Sequence, residues 1–506
     1  RAKTRIKVLS VTKRFMMISF KSNQDFSVLR FEVAKLQRTS HPIFVCTKNQ
    51  HQGPKETARL MRLLSLALLS VLALAVVNPC SAFVDRRGSV DQGIKSPTIR
   101  KLAADLAVGR RNSLEVFWRD LQGKAPLIEP IPGNPSFMFV TFVWHGDAAT
   151  KSVTMRGGPP TSLVELPLSR LVDSDLWYRT VPLPRDARFT YYLRVNAPRT
   201  EVVYETAESF NDDYPPRVDP LNPHTFEGSS VLEMPNAPPQ KWAVRQPNTP
   251  AGTISQARVN SRLLNEEREI DIYTPPGYNA TGGSYSLLIM FDAELYTTID
   301  LPITLDNLIS AKRIPPTVAV LVHNSAPFNR RRDLSCYPPF ADFVATELMV
   351  WIQRHYRVRA DARGHTIGGA SLGGLTACYI GLRHSNVFGN VLSQSGSLGT
   401  SLDAVRSADK PLSGMELALA ESYSTEPDWL IRQFMKSKRL PLHFYLEAQR
   451  YDVGLYGADI LAANRHLRDV LLLKGYRLTY REFNGGHDGY SQRGTVAGAL
   501  LALLNS

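Results

Sequence analysis

From residue 136 the chain alternates short apolar runs with polar breaks. The runs "FMFVTFVWHG", "SVTMRG", "LWYRTVPL" and "FTYYLRVN" are rich in aromatic and β-branched residues, with Gly, Pro and Asp between them. That texture predicts antiparallel strands stacked as a sandwich. Ahead of them, "SPTIRKLAADLAVGRRNSLEVFWRDLQ" spaces its apolar residues at a helical period and predicts helix. Behind them the chain turns proline-rich, from "DDYPPRVDPLNPHTF" to "EMPNAPPQKW", and reads as an extended linker packed between domains.

From about residue 250 the pattern changes. "REIDIYTP", "YSLLIMFD", "PTVAVLVH", "HTIGGAS", "NVLSQSGS", "LHFYLEA" and "RLTYREF" are strand-like, and helical stretches such as "PPFADFVATELMVWIQRHY" and "GADILAANRHLRDVLLLKG" alternate with them. Alternating strands and helices predict a mainly parallel sheet with helices on both faces. There is no internal repeat.

The first 82 residues differ from the rest. Met61-Arg62 is a short basic start, Leu63–Val77 an apolar run, and Cys80-Ser81-Ala82 a small-x-small site. The order is that of a secretory signal peptide, too short for a comfortable membrane span. The expectation is therefore a start at Met61, cleavage after Ala82 and no stable membrane insertion afterwards. The mature chain would be periplasmic or secreted, or cytoplasmic if the segment is not cleaved. Residues 1–60 read as an upstream extension, disordered or not native. They hold +10 of the +14 net charge, which leaves +4 on the remaining 446 residues. So weakly basic a body gives no ground for a nucleic-acid partner. Of four cysteines only Cys336 and Cys378 would remain after cleavage. One pair is not a disulfide framework, no metal-ligand spacing is present, and Cys378 reads as a buried thiol.

The candidate chemistry centres on Gly369-Ala370-Ser371-Leu372-Gly373, which lies between the strand-like "HTIGGA" and the helical "LGGLTACYIGLRH". Gly-x-Ser-x-Gly between strand and helix is a nucleophile elbow, tight enough that a Cβ at either glycine would strike the strand or the helix. It presents Ser371 Oγ at a helix N-terminus, where the Leu372 N–H can stabilise an oxyanion. A base should follow the last strand, and "LTYREFNGGHDGYSQRG" supplies His487 on a glycine-rich loop. The acid should follow "LHFYLEA"; Asp452 on the loop beyond the strand is preferred to Glu447 within it. Backbone N–H groups at Ala293 and Glu294, after "YSLLIMFD", are candidates for the second oxyanion donor.

The chain resembles the enterochelin (ferric enterobactin) esterase family over nearly all of residues 110–506. The resemblance rests on "LIMFDAE", "GGASLGGLTACYIGLRHSNVFGNVLSQSGS", "YLEAQRYD", "ANRHLRDVL" and "GGHDGYSQRG" in the rear half. In the front half it rests on "FVTFVWHGD", "LWYRTVPLP" and "VDPLNPHTF". It departs from the family at Leu398-Gly399 and at Gly489-Tyr490-Ser491-Gln492, where aromatic residues are common. The resemblance implies Ser371 as nucleophile, His487 as base and an acidic residue at Asp452. It also implies hydrolysis of the trilactone esters of a catecholate siderophore. A ferric tris-catecholate is anionic, so Arg330, Arg331 and Arg332 of "FNRRRDLSC" are candidate substrate-binding residues.

The expected architecture is an all-β Ig-like sandwich over residues 100–240, followed by an α/β-hydrolase domain over 250–506. The expected activity is that of a serine esterase needing neither cofactor nor metal and acting on a small-molecule ester. The same-class alternative is a feruloyl or acetyl carboxylesterase acting on polysaccharide. The alternative from another class is a non-catalytic siderophore or glycan binding protein.

Overall fold

The structure is a computed structural model that describes residues 15–22, 25–32, 93–159, 165–197, 214–324, 327–400, 428–453 and 459–505. The chain divides into two compact units, Arg1–Gly88 and Ser89–Ser506. In the first, β1 (Phe15–Ser22) and β2 (Asp25–Glu32) pair antiparallel, with Phe15 opposite Glu32. This hairpin lies within the extension expected to be disordered. The signal-like segment 61–82 lies outside the described residues.

The second unit begins with helices Pro97–Ala107 and Asn112–Leu121. Ser96 caps the first, accepting from the Ile99 N–H at 3.1 Å, and Pro97 occupies the first turn, where its missing N–H costs nothing. Both helices bury an apolar stripe in one cluster with Val143, Leu171 and Leu176. The front segment is thus not wholly β.

Two antiparallel sheets follow. One runs in the order β3 (Leu127–Ile131), β4 (Asn134–His145), β8 (Leu176–Pro184), β7 (Ser169–Arg170). The other has the order β10 (Thr225–Phe226), β11 (Ser229–Glu233), β9 (Arg188–Val195), β5 (Val153–Arg156), β6 (Leu166–Pro167). Val140 and Phe142 of the first sheet share a core with Val153, Met155, Phe189 and Leu193 of the second. The proline-rich segment is more than a linker: buried Val231 and Leu232 carry β11 into the second sheet beside β9. Its end anchors on the rear part of the unit, where Asn307 Nδ2 donates to the carbonyls of Trp242 and Val244 at 2.7 and 2.8 Å.

The rear part of this unit is built on an eight-stranded sheet. Its order is β12 (Thr253–Ser261), β13 (Glu266–Thr274), β15 (Thr317–Val322), β14 (Ser286–Phe291), β16 (His365–Ala370), β17 (Asn390–Gln394), β18 (His443–Gln449), β19 (Arg477–Phe483). The first two pairings are antiparallel and the remaining five parallel. Every residue of β14, β15 and β16 is buried, as strands covered on both faces require. Leu287, Ile289 and Ile367 pack into one apolar layer, and Leu288 and Met290 into the other. Each fully buried aliphatic side chain contributes roughly 1.5–3 kcal/mol. The parallel strands put the loops after β14, β16, β17, β18 and β19 along one edge of the sheet, where open α/β sheets bind their ligands.

Candidate active site

Ser371 follows β16 directly and starts helix Leu372–Arg383. Its backbone is at φ 56°, ψ −121°, a conformation that costs a non-glycine residue roughly 1–3 kcal/mol. The surroundings impose it. The Ser371 N–H donates to the Gln394 carbonyl at 3.0 Å, and the Ser371 carbonyl accepts from Ser397 and Leu375 at 2.9 and 3.1 Å. The turn is so close that a Cβ on Gly369 would stand 2.6 Å from the Gly373 carbonyl carbon. The strain holds the Ser371 hydroxyl at the sheet edge, at the N-terminus of the helix.

Asp452 and His487 meet on the loops after β18 and β19. Asp452 Oδ2 is 3.2 Å from His487 Nδ1, with the carboxylate fully buried and the imidazole 13% exposed. Glu447 lies elsewhere. Side chains alternate along a strand, so Glu447 shares a face with Tyr445, under helix Gly489–Leu504. Its carboxylate accepts from Thr495 Oγ1 at 2.5 Å, Gln394 Nε2 at 3.0 Å and Tyr445 OH at 3.0 Å. Burial pushes its pKa up to about 7, against these hydrogen bonds.

The turn after β14 reaches the elbow. Asp292 adopts a left-handed conformation at φ 60°, and helix Ala293–Thr298 begins after it. A Cβ on Gly373 would lie 3.3 Å from Asp292 Oδ2, so the carboxylate sits against the first turn of the elbow helix. Ala293 is buried, and its N–H and that of Glu294 belong to this turn. Glu294 uses its side chain on His323 Nδ1 at 3.2 Å, and His323 Nε2 reaches Asp271 Oδ2 at 3.0 Å. Burial opposes the His323 charge, but the two carboxylates outweigh it and raise the pKa.

The arginine run forms part of helix Pro327–Asp333. Arg330 donates to both oxygens of Asp292, at 2.6 and 2.8 Å. It therefore braces the turn that precedes helix Ala293–Thr298. Arg332 donates to Asp333 and Glu266, each at 2.7 Å, and lies over the Tyr337 ring. Arg331 is part-buried. The run expected to face the substrate is thus largely engaged with the protein's own carboxylates.

The family model for putative esterases matches residues 261–489, and the model for the N-terminal domain of enterochelin esterases matches residues 139–243. The two matches together support the enterochelin esterase family. The chain is a carboxylic ester hydrolase. It is 26% identical over 363 residues to the iron(III) enterobactin esterase of Escherichia coli strain CFT073, covering 66% of this chain and 81% of that one. Against the enzyme of the same name from Dickeya dadantii it is 27% identical over 360 residues, covering 67% and 79%. Among solved structures, the enterobactin esterase of Shigella flexneri, determined in the presence of enterobactin, superposes with a TM-score of 0.58 at 23% identity. That match covers 77% of this chain and 98% of that one. The ferric enterobactin esterase of Salmonella typhimurium gives 0.60 at 22% identity over the same shares. At such identity the likeness establishes a shared fold.

Sequence reasoning missed Ser397. Its Oγ lies 3.2 Å from Ser371 Oγ. No local pattern marks it: only the parallel pairing of β17 with β16, with Gln394 opposite Ala370, brings the residues after β17 beside the elbow. Cys336 and Cys378 are both buried thiols, and burial pushes Cys378 up to about 12. Among the described residues no cluster of His, Cys, Asp or Glu has the make-up of a metal site, and no helix is long and apolar enough to cross a membrane.

Proposed function

We propose that the chain hydrolyses the trilactone ester bonds of a catecholate siderophore such as ferric enterobactin. The observation that carries this reading is the strained Ser371 elbow on the same sheet edge as the Asp452–His487 pair, in a chain that also matches the family's N-terminal domain. A bare feruloyl or acetyl esterase does not call for that domain. We read the front segment as an Ig-like sandwich and the rear as an α/β-hydrolase domain.

In this mechanism His487 Nε2 takes the Ser371 proton as Oγ attacks a lactone carbonyl. Asp452 fixes the tautomer through Nδ1 and stabilises the imidazolium that forms. The backbone N–H groups of Leu372 and of Ala293 or Glu294 receive the oxyanion. The imidazolium then protonates the departing alkoxide, leaving a seryl ester. Water, deprotonated by His487, attacks that ester and releases the acid and free Ser371. The ring opens by one ester bond per cycle, and the iron is cargo of the substrate. Arg330 holds the Asp292 carboxylate in place beside the elbow helix. Segment 61–82 directs export, and the mature enzyme acts in the periplasm or outside the cell.

The test is incubation of the purified chain with ferric enterobactin, with methyl ferulate alongside. Linear trimer and then 2,3-dihydroxybenzoylserine should accumulate, with methyl ferulate hydrolysed far more slowly. Preferential turnover of methyl ferulate would overturn the substrate assignment.

A further inference from the structure

One short piece of the front segment touches both loops that carry the acid–base pair. It is Arg188-Phe189-Thr190, the start of β9. On the base side, the Arg188 N–H donates to the Asn484 carbonyl at 2.9 Å, and Arg188 forms a parallel bridge with Gly485. The Arg188 carbonyl accepts from Ser491 Oγ at 3.1 Å. Asp186, just before, accepts from Asn484 Nδ2 at 2.7 Å. The Thr190 N–H is hydrogen-bonded to the Asp488 carboxylate. These contacts bracket His487 on both sides, at positions 484–485 and 488–491.

On the acid side the contact is a side chain. The Phe189 ring meets Tyr451 edge-on, 5.7 Å between centroids and 89° between planes. Tyr451 belongs to the apolar core shared by the two front sheets, although it precedes Asp452 on a loop of the rear part. The Tyr451 N–H in turn donates to the Gly485 carbonyl at 3.1 Å, which ties the two loops together.

We propose that β9 positions the Asp452–His487 pair, with Phe189 and Tyr451 as positioning residues, so that the front segment serves turnover and not only substrate recognition. The inference rests on the catalytic reading above. It follows from the connectivity: residues 450–453 and 484–488 form no helix or strand of their own apart from the Arg188–Gly485 bridge, both are fixed to the same three-residue stretch, and Ser491 extends that attachment into the first turn of helix Gly489–Leu504. Misplacement of a catalytic group by about 1 Å costs on the order of 100-fold.

The test uses the full chain and p-nitrophenyl acetate, a substrate too small to need a recognition domain. Phe189→Leu and Tyr451→Leu should each lower kcat about tenfold or more, with KM within about twofold, while circular dichroism and Tm show a folded protein. Tyr451→Phe keeps the ring and should keep kcat. The double variant should lose no more than the worse single, because both act through one contact. Should Phe189→Leu fail to fold, Asp186→Ala removes the acceptor of the Asn484 side chain without touching the apolar core, and it should lower kcat in the same way. Folded variants with wild-type kcat, or with losses confined to KM, would overturn the proposal. A wild-type protein that hydrolyses neither p-nitrophenyl acetate nor ferric enterobactin would instead sink the catalytic reading, and the positioning role with it.

Discussion

His487 Nδ1 faces Asp452 Oδ2 at 3.2 Å, whereas Glu447, nearer the middle of the same segment, is hydrogen-bonded by Thr495, Gln394 and Tyr445 on the far face of β18. The two carboxylates should therefore behave differently. Asp452→Asn is expected to lower kcat by about 10⁴, the loss seen when a triad acid is replaced by its amide. Glu447→Gln should stay within about tenfold of wild type. Steady-state kinetics on p-nitrophenyl acetate checks the order, and a larger loss in Glu447→Gln would reverse the assignment.

Ser371→Ala should remove nearly all turnover and all labelling by a fluorophosphonate probe. The protein should fold normally, since a hydroxyl part-exposed at the elbow adds little to the core. Far-UV circular dichroism provides the folding control. Retention of a tenth of wild-type kcat would refute Ser371 as nucleophile.

Glu447 should also leave a mark on stability. Burial raises its folded-state pKa from 4.5 to about 7. The folded protein thus keeps a proton that the unfolded chain sheds from about pH 4.5 upward. The stability linked to this group is complete below that pH and is lost as pH rises through about 7. Denaturant unfolding at pH 5 and pH 8 should show wild type losing stability between the two, and Glu447→Gln losing less. Equal losses would show that Glu447 is ionised throughout.

Arg330 tests whether the basic run serves the substrate alone. Its guanidinium holds both oxygens of Asp292 beside the elbow helix. Arg330→Met should therefore lower kcat on neutral p-nitrophenyl acetate by about tenfold, part of the 100- to 1000-fold expected for loss of a whole oxyanion donor. If the variant is impaired only on ferric enterobactin, and the defect vanishes in high salt, the arginine acts purely by attraction.

The features legible in the sequence are those set by neighbours along the chain. Strands apolar at every position after the first, as in "SLLIMF" and "TVAVLV", must be covered on both faces and so declare a parallel sheet. The elbow is legible for the same reason: glycines flank a serine between a strand and a helix, and only such a turn requires them. The nearness of Asp452 to His487 is legible too, because a loop beyond a strand can reach a histidine on the next loop, which is again local geometry. The rest depended on residues far apart in the chain. Arg330 looked like a free cation until the fold brought Asp292 to it. Ser397 gained a role only when β17 paired beside β16. The proline-rich segment became part of a sheet because β9 offered an open edge to Val231 and Leu232. The start of the same strand touches the His487 loop side at Ser491, 303 positions away, and the Asp452 loop at Tyr451. Local pattern reports what a segment must hide from water, and tertiary packing alone decides which partner hides it.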